Sequence, residues 1–458
     1  MSSEVSPAYL PLFECSSDGN ISYGIVQPGP HFEQGVPIIR VNNVNNGNLD
    51  ISSPIKVHPD IEEKHRRTRL AGGEILLTLV GSTGQTVIAG PELAGWNVAR
   101  AIAVIRPSSE ISATWIKICL QSDEVQHFLD TRANTTVQKT LNLKDVRNIP
   151  ILNSPKEDRR FIEGCWNSIN DKIELNRRMN ATLEGMAQAL FKSWFVDFDP
   201  VIDNALAAGN PIPEELTDRA EIRRQALADG TSNREAAKQF PAAFQFTESM
   251  GWIPEGWAAA TLGDYLEIKR GGSPRPIHDF ISPAGFPWVK IADATASTSR
   301  FLFATKEFIK PEGLKKTVLM KKGSLILSNS ATPGLPIFLE LEACIHDGWL
   351  HFPAKRHFGD LYLYQLFLVI REELVAQGNG SVFTNLKTDI LRAQRIAAPP
   401  SSVLDFFEGW MEPNFEKILT LNVQTRSLSN LRDTLLPKLI SGELHILEAE
   451  KLAEEALV

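Results

Sequence analysis

Apolar residues recur at alternating steps of four and three positions between Lys156 and Phe195. With two asparagines that occupy the same spacing, the series is Ile162, Trp166, Ile169, Ile173, Asn176, Asn180, Leu183, Ala187, Leu190 and Trp194. This spacing is the heptad pattern of a helix that packs along a second helix. The segment is therefore predicted to form one long helix.

A second series with the same spacing lies 245 residues further along the chain. Its members are Phe407, Met411, Asn414, Ile418, Leu421, Thr425, Leu428, Arg432, Leu435 and Leu439. Each series spans roughly 60 Å if fully helical. Two such series predict a coiled coil, although the period alone does not distinguish parallel from antiparallel pairing. The other interpretation is that each helix lies on its own domain. Pro413 is expected to restart or kink the second helix, and Pro437 to end it.

The segment before each predicted long helix has a different pattern, in which short apolar runs are separated by turn residues. They predict strands at 75–80 and 99–105 with a helix at 114–131, and then strands at 288–291 and 324–328 with a helix at 360–376. This pattern is typical of a mixed α/β fold.

The two halves of the chain also repeat at the level of residues. The segment 35–41 (GVPIIRV) reappears at 285–291 (GFPWVKI), and 73–78 (GEILLT) at 323–328 (GSLILS). A repeat of this length predicts two domain-sized copies rather than a solenoid. Each copy is predicted to be a globular domain followed by a long helix.

These patterns divide the chain into six segments. Residues 1–153 and 251–400 are the two globular domains, and 154–198 and 401–444 are the helices that follow them. Pro, Gly and Asn punctuate residues 199–250, which we interpret as a linker with a short helix at 214–228. Residues 445–458 are an acidic tail.

Composition excludes several classes of protein. The hydrophobic fraction of 43% suits a folded chain with a core, and no apolar run reaches the roughly 20 residues of a membrane span. The N-terminus lacks the features of a signal peptide, and the four cysteines form no metal-ligand motif, so a cytoplasmic protein without a disulfide framework is expected. The net charge of −8 arises mainly outside the two domains, which leaves room for basic surfaces on them.

No convincing catalytic motif is present. Gly81–Gly84 lacks the Lys-Ser/Thr of a phosphate-binding loop and is interpreted as a turn between strands, and Gly378–Gly380 as a loop. The acids of Pro59–Lys64 are adjacent rather than on separate strands, so a nuclease metal site is not expected there. Ala398–Ser401 lacks the ends of the amino-methyltransferase tetrapeptide, and His346-Asp347 has no identifiable nucleophile and is interpreted as structural.

Clusters of basic residues are the remaining candidates for function. Contact with DNA phosphates is the functional interpretation of these clusters, and solvated loops are the alternative. The first domain has a basic run at 64–69, and the second has a flexible glycine-containing loop at 269–276 and two lysine pairs. The candidates are Lys64, Arg66, Arg67, Arg69, Lys269, Arg270, Arg275, Lys315, Lys316, Lys321 and Lys322.

Several longer segments resemble a known family. They are LNLKDV at 141–146, ALFKSWFVDFDPV at 189–201, GWIPEGW at 251–257 with TLGD at 261–264, and LRDTLLPKLISGEL at 431–444. Together with their order along the chain, they resemble the specificity subunit of type I restriction-modification systems, over nearly the whole sequence. The first domain departs from this pattern at its start, where residues 8–27 are a poor copy of 261–277.

The resemblance implies a fold and a function. The fold is two duplicated α/β target-recognition domains joined by two long helices packed as an antiparallel coiled coil. Each domain would read one half of a split double-stranded DNA site, and the helices would set the distance between the halves. Two methylation subunits and the restriction subunits would bind this scaffold. S-adenosylmethionine, ATP and Mg²⁺ would act on those partners, with no cofactor on this chain.

Two other functions remain compatible with the residues alone. One is a non-enzymatic adaptor whose two domains bind protein or glycan, with the coiled coil as spacer. Binding that weakens steeply with salt would favour DNA over this alternative. The other is an enzyme with an unrecognised site, which activity of the isolated chain would reveal.

Overall fold

The computed structural model describes residues 8–17, 19, 21–45, 47–133, 139–297, 299–377 and 385–441. Contacts divide the chain into two units, residues 1–174 with 425–458 and residues 175–424. Each unit contains one α/β domain and part of both long helices. The predicted loop 378–380 and the acidic tail 445–458 lie outside the described residues.

The domain of the first unit is built from short strands and four short helices. Its strands are β1 (Tyr9–Pro11), β2 (Ser22–Tyr23), β3 (Val36–Ile39), β4 (Val44–Asn45), β5 (Asn48–Leu49), β6 (Ile55–Val57), β7 (Ile75–Thr78), β8 (Thr86–Ile88), β9 (Asn97–Val98), β10 (Ile102–Ile105) and β11 (Pro150–Leu152). Its helices are α1 (Pro59–Glu63), α2 (Ala113–Leu120), α3 (Asp123–Arg132) and α4 (Leu143–Arg147).

The strands of this domain form several small sheets. The four-stranded sheet has the order β2-β10-β7-β8, and every residue of β7 and β10 is buried, as expected for its two central strands. A three-stranded sheet has the order β6-β3-β9, in which β3 and β9 are parallel. The strands β1 and β11 pair antiparallel and join the two ends of the domain. The indole of Trp115 is fully buried beneath this layer and donates to the carbonyl of Leu152 at 2.8 Å.

The second unit repeats this construction. The helices that follow are α5 (Lys156–Phe195), which both units share, α6 (Asp199–Ala208), α7 (Thr217–Ala228), α8 (Arg234–Ala237), α9 (Leu262–Tyr265), α10 (Ile291–Ala296), α11 (Asp360–Gln377), α12 (Thr388–Ala393) and α13 (Ser401–Ser441), which is again shared. The strands are β12 (Phe244–Thr247), β13 (Gly251–Pro254), β14 (Ala258–Thr261), β15 (Leu266–Arg270), β16 (Ile281–Ser282), β17 (Phe286–Val289), β18 (Phe301–Leu302), β19 (Glu307–Ile309), β20 (Val318–Met320), β21 (Leu325–Ser328), β22 (Pro336–Leu339), β23 (Ala343–Ile345), β24 (Trp349–Lys355) and β25 (Arg395–Ala398).

The duplication predicted from sequence is present in the strand order. The sheet β15-β24-β21-β22-β18 matches β2-β10-β7-β8 with one added strand, and β19-β17-β23 within the other sheet matches β6-β3-β9. The parallel pairing of β17 with β23 reproduces that of β3 with β9. The pair β14-β25 reproduces the pair β1-β11. Strand β1 of the first domain is therefore equivalent to β14 of the second, although the sequences at the start of the two domains differ.

The turn at Gly81–Gly84 shows the repeat at atomic detail. It joins the antiparallel strands β7 and β8, which confirms its interpretation as a turn between strands. The Thr78 hydroxyl donates to the carbonyl of Ser82 and accepts from the amide of Gln85 at 3.0 Å. In the second domain the Ser328 hydroxyl makes the same two bonds, to Thr332 and from Leu335.

The long helices run antiparallel within each unit. In the first unit Ile169 and Ile173 pack with Leu428, and the guanidinium of Arg432 lies over the ring of Trp166 with its carbon 5.2 Å from the ring centre. Along the pair, residue numbers increase on α5 in the direction in which they decrease on α13, so the two helices are antiparallel.

The second unit shows the same direction of pairing. Asn176 donates to Gln424 at 3.5 Å, and Asn414 donates to the carbonyl of Leu183 at 3.4 Å. Trp194 stacks on Phe406 with ring centres 5.7 Å apart. The antiparallel coiled coil is thus confirmed in each unit.

The ends of both helices also belong to domain cores. Ile162 and Trp166 share the core of the first domain with Leu435 and Leu439. In the second unit Phe191 is fully buried against Tyr362 of the domain, with ring centres 5.2 Å apart. Packing of a helix on its own domain therefore holds at the start of each helix, whereas the end of each helix packs on the other domain and the parts in between pair with each other.

Some sequence expectations are wrong in detail. A single helix at 114–131 was expected, but two form, because the Ser122 side chain caps α3 by accepting from the amide of Val125. The predicted restart of the second helix at Pro413 and its end at Pro437 do not occur, since α13 is continuous from Ser401 to Ser441. Buried Met411 and Ile418 flank Pro413, so packing on both sides offsets the lost backbone hydrogen bond.

The segment 199–250 folds onto the second domain as a packed subdomain. Arg219 binds both carboxylate oxygens of buried Asp199 at 2.6 Å, and Arg223 binds those of buried Asp203 at 2.8 and 2.5 Å. Paired guanidinium forks of this kind fix α7 against α6. The helix predicted at 214–228 is α7, preceded by a 3-10 turn at Glu214–Leu216.

Candidate nucleic-acid interface

Two loops come together in the second domain around Asp347. The Ser273 hydroxyl donates to one carboxylate oxygen at 2.6 Å, and Arg275 approaches the other with Nη2 at 3.4 Å. The guanidinium of Arg270 donates to the Asp347 carbonyl from Nε at 3.2 Å and from Nη2 at 3.1 Å. The Ser273 hydrogen bond and the nearby His346 and Arg275 lower the pKa of Asp347, so it is ionised at neutral pH.

A cavity of about 240 Å³ opens beside this group. It is lined by Ser273, Arg275, Ile277, Trp288, Lys290 and His346. Burial lowers the pKa of His346, and its Nδ1 accepts from the amide of Gly348 at 2.6 Å. The imidazole is therefore neutral near pH 7 with its proton on Nε2, and an aromatic wall and two basic side chains face one small space.

The glycine loop brings several predicted basic residues close to this cavity. A side chain on Gly272 would meet the carbonyl of Lys316 at 2.8 Å, so glycine is required for the loop to lie against the turn that carries Lys315 and Lys316. The Lys316 ammonium lies 4.6 Å from the centre of the Phe280 ring, and Lys315 is exposed. Lys269 is exposed and pairs with Glu267 at 2.6 Å.

The other lysine pair is not part of this group. Lys321 and Lys322 follow β20 at its far end, whereas the turn with Lys316 precedes it. Lys322 pairs with buried Glu340 at 3.2 Å and so helps to neutralise a buried carboxylate. The structure thus separates two lysine pairs that are close in sequence.

The basic run of the first domain divides in a similar way. Lys64, Arg66 and Arg67 are exposed, and Arg66 makes a long contact of 3.7 Å with Glu63. Arg69 instead donates from Nε to Glu62 at 2.8 Å and from Nη2 to Glu63 at 2.8 Å, with a second bond to Glu62. The Arg69 side chain is 41% exposed but its guanidinium is bound to two carboxylates of its own domain, whereas the other three side chains face solvent.

Glu62 explains why Arg69 is held. Its side chain is 3% exposed and also accepts from the Asn97 amide at 2.9 Å. Hydrogen bonding to Arg69 lowers the pKa of Glu62, which keeps a buried carboxylate charged. Sequence reasoning missed this pairing, because the two residues are seven positions apart across an irregular turn.

Arg100 is a further basic residue that sequence reasoning missed. It is exposed at the edge of a cavity of about 560 Å³. The cavity is lined by Tyr23, Leu79, Val80, Arg100, Ala101, Thr140, Leu141, Asn142 and Leu143. Arg100 is an isolated basic residue rather than a member of a basic run, so a search for clusters of charge does not find it. It is found only when the strands of the two domains are compared.

The helix-interface residues predicted from the heptads are mostly buried. Ile162, Trp166, Ile169, Ile173, Trp194, Phe407, Ile418, Leu421, Leu428, Leu435 and Leu439 are each at most 8% exposed. Leu183 and Leu190 are half-buried. The fully buried Phe191, next to Leu190, was not in the predicted series, although it packs both on Tyr362 of the second domain and on Phe407 of α13.

Among the described residues no group of three or more His, Cys, Asp or Glu side chains could hold a metal ion. Within that same part of the chain no helix is long and apolar enough to cross a membrane.

Comparison with known proteins identifies relatives. Residues 254–403 match the model of the type I restriction modification DNA specificity domain. The chain is 28% identical over 416 residues to the type I restriction enzyme HindI specificity subunit of Haemophilus influenzae, covering 81% of this chain and 86% of that protein. It is 23% identical over 385 residues to the MjaIX specificity subunit of Methanocaldococcus jannaschii, covering 82% and 78%.

A solved structure is also similar to this chain, over almost the entire length of both chains. The crystal structure of the type I restriction-modification system S subunit from M. genitalium is 12% identical, with 96% of this chain and 98% of that chain covered and a TM-score of 0.49. The family model lies on the second recognition-like domain, and the two curated relatives extend the match over most of both repeats. Over the regions that these comparisons cover, the chain is similar to the specificity subunits of type I restriction-modification systems.

Proposed function

We propose that this chain is the non-catalytic subunit that gives a type I restriction-modification complex its DNA sequence specificity. The observation that supports it most directly is the duplicated α/β domain, repeated strand by strand, with each copy joined to the same pair of antiparallel helices. Two similar readers on a helical spacer fit a DNA target made of two half-sites, because helices of fixed length give a defined half-site spacing.

The partners of the chain follow from this role. The chain binds double-stranded DNA and carries two methylation subunits, with restriction subunits added to that assembly. S-adenosylmethionine, ATP and Mg²⁺ belong to the partners. A target adenine cannot be methylated inside the base stack, so the methylation subunit must extrude it while this chain holds the flanking sequence.

Basic side chains on each domain supply the sequence-independent part of binding. Lys64, Arg66 and Arg67 do so in the first domain, and Arg275, Lys315 and Lys316 in the second. The exposure of these side chains supports this assignment, and Arg275 also lines the cavity of the second domain. Arg69, Lys321 and Lys322 are weaker candidates, since Arg69 and Lys322 pair with buried carboxylates.

The test is the methylated motif of the assembled complex. The chain is co-expressed with the methylation subunits of its own system, and methylated adenines are mapped in host DNA with and without this gene. A two-part motif with an unread spacer is expected. In a chimera with residues 1–150 taken from another family member, only one half-site should change.

Several results would contradict the proposal. A motif that lacks two parts, or a chimera in which both half-sites change together, would rule out modular recognition. Methyl transfer or cleavage by the rigorously purified chain alone would show that it is an enzyme. Binding of the complex to DNA that does not weaken with salt would favour the protein- or glycan-binding adaptor instead.

A further inference from the structure

We infer that Arg100 and Asp347 are base-reading residues, one for each half-site, at the same position of the duplicated fold but with opposite charge. This inference rests on the proposed function. It goes beyond that function because it names the side chains that make the two half-sites different.

The two residues occupy equivalent positions in the strand ladders. Arg100 is the central residue of the three-residue connection between β9 and β10, and Asp347 is the central residue of the three-residue connection between β23 and β24. The strand that follows begins in the same register in both domains, with Ile102 opposite Thr78 and Trp349 opposite Ser328.

The strands that precede the two connections are equivalent as well. Val98 pairs in parallel with Ile39, and Ile345 pairs in parallel with Val289. Counting two residues onward from Val98 and from Ile345 gives Arg100 and Asp347. The strand pairings before and after the connections therefore both place Arg100 and Asp347 at equivalent positions of the two domains.

The backbone of each connection is fixed by a glycine on the neighbouring segment. A side chain on Gly24 would lie 1.8 Å from the carbonyl oxygen of Val98, and one on Gly271 would lie 2.3 Å from that of His346. Both glycines also donate to the first residue of the strand after the connection, Gly24 to Ile102 at 3.3 Å and Gly271 to Trp349 at 2.8 Å. The backbone is held alike, and at the central position a guanidinium in the first domain is replaced by a carboxylate in the second.

Each of these side chains faces an open space beside other polar groups. Arg100 is exposed and lines its cavity with Tyr23 and Asn142, and none of the described residues accepts a hydrogen bond from its guanidinium. The Asp347 side chain is 49% exposed next to the smaller cavity that Ser273 and Arg275 line. Neither is buried by its own domain.

The chemistry of the two side chains then predicts what they read. A guanidinium recognises the O6 and N7 acceptors of guanine, and a carboxylate accepts from the N4 amino group of cytosine. The carboxylate of Asp347 has about four lone-pair directions, so the bonds from Ser273 and Arg275 leave acceptor capacity for a base. We assign guanine to Arg100 and cytosine to Asp347, each at one base pair of its half-site.

The test compares methylation motifs of complexes that carry single substitutions. Arg100→Ala should reduce the preference at one base pair of the first half-site by about 10- to 100-fold and leave the second half-site intact. Asp347→Asn should do the same at one base pair of the second half-site only. Arg100→Gln keeps a long polar side chain and should move the preference toward adenine.

Matched controls remove the same charges elsewhere on each domain. Arg160→Ala on α5 and Glu372→Gln on α11 should leave both half-sites unchanged, since each residue is exposed on a helix that is not part of either connection. Thermal melting monitors folding of every variant. Ser273→Ala tests whether Asp347 acts by holding the glycine loop in place.

Three outcomes would overturn the inference. They are a motif unchanged by Arg100→Ala and Asp347→Asn, a uniform loss of binding at all sequences, and a motif change in Ser273→Ala identical to that in Asp347→Asn. The second would make the side chains phosphate contacts and the third would make Asp347 a positioning residue. A wild-type complex without a two-part motif would instead contradict the proposed function, which keeps the two failures distinct.

Discussion

The guanidinium of Arg69 holds the buried carboxylate of Glu62, donating to it from Nε at 2.8 Å and again from Nη2. Arg69 is the last basic residue of a run that looks uniform in sequence, yet its neighbours Arg66 and Arg67 face solvent. The run therefore divides into two parts. Arg69 is bound to carboxylates of its own domain, and Arg66 and Arg67 are exposed residues that we propose as DNA contacts.

Arg69→Ala should destabilise the first domain. The substitution leaves the nearly buried Glu62 without its charged partner, and an unpaired buried charge is costly. We expect the melting temperature to fall by about 2–4 °C or more. Arg67→Ala, which removes the same side chain from an exposed position, is the control and should leave it unchanged. Equal effects of the two substitutions would show that the pairing with Glu62 contributes nothing.

Acid should weaken the same contact. Arg69 lowers the pKa of Glu62 below its ordinary value of 4.5, so the unfolded chain binds a proton at higher pH than the folded chain does. The stability that the pair contributes is therefore fully present above pH 4.5 and is lost as pH falls through the folded pKa. Melting curves between pH 7 and pH 3 should show a smaller acid-induced loss for Arg69→Ala than for the wild-type chain. An identical loss in both would place the acid sensitivity in other carboxylates.

The exposed arginines should act on DNA binding without changing its sequence preference. The double substitution Arg66→Ala with Arg67→Ala removes two phosphate contacts, so the slope of log affinity against log salt for the complex should become shallower by about 1.8. Affinity should fall alike for target and unrelated DNA. A changed methylation motif with an unchanged salt slope would place these side chains at base edges instead.

Sequence patterns predicted the features that depend on periodicity. The heptads identified both long helices because a buried stripe on a helix must repeat every three or four residues, and the strands β7 and β21 were recognisable as apolar runs after glycine. The duplication followed from residues alone. The antiparallel direction did not, since the same heptads suit either orientation, and it came from the family resemblance.

The candidate site was less predictable, for a physical reason. Arg270 and Arg275 lie in one loop, 77 and 72 positions before Asp347, and meet it only because the strand ladders bring the two loops together. Charge clustering found the arginines of the glycine loop but assigned His346-Asp347 no part in binding. It also missed Arg100, an isolated charge whose significance depends on its register in the sheet.

Leu428 should be essential to the helical pair in the first unit. It is 3% exposed and packs against Ile169 and Ile173, so Leu428→Ala should cost about 2–5 kcal/mol. Leu175 on α5 is 43% exposed, and Leu175→Ala should cost less than about 0.5 kcal/mol. Hydrogen exchange of the α13 amides is the measurement, with exchange at least about 30-fold faster in Leu428→Ala. Unchanged exchange would mean that α13 is held by its domain contacts rather than by its pairing with α5.

Lengthening both helices should lengthen the unread spacer of the DNA target. The contacts of Asn176 with Gln424 and of Asn414 with Leu183 place the bond after Asn180 opposite the bond after Lys417. Four residues inserted at each point add about 6 Å of helix, close to one turn, and shift the heptad equally on both sides. The added length matches about 2 base pairs, so the methylated motif should keep both half-sites with a spacer longer by that amount.

An insertion in one helix alone is the control, since it puts the two heptads out of register and should reduce assembly instead. If complexes with the double insertion assemble, bind DNA and retain the original spacer, the helices do not set the half-site spacing.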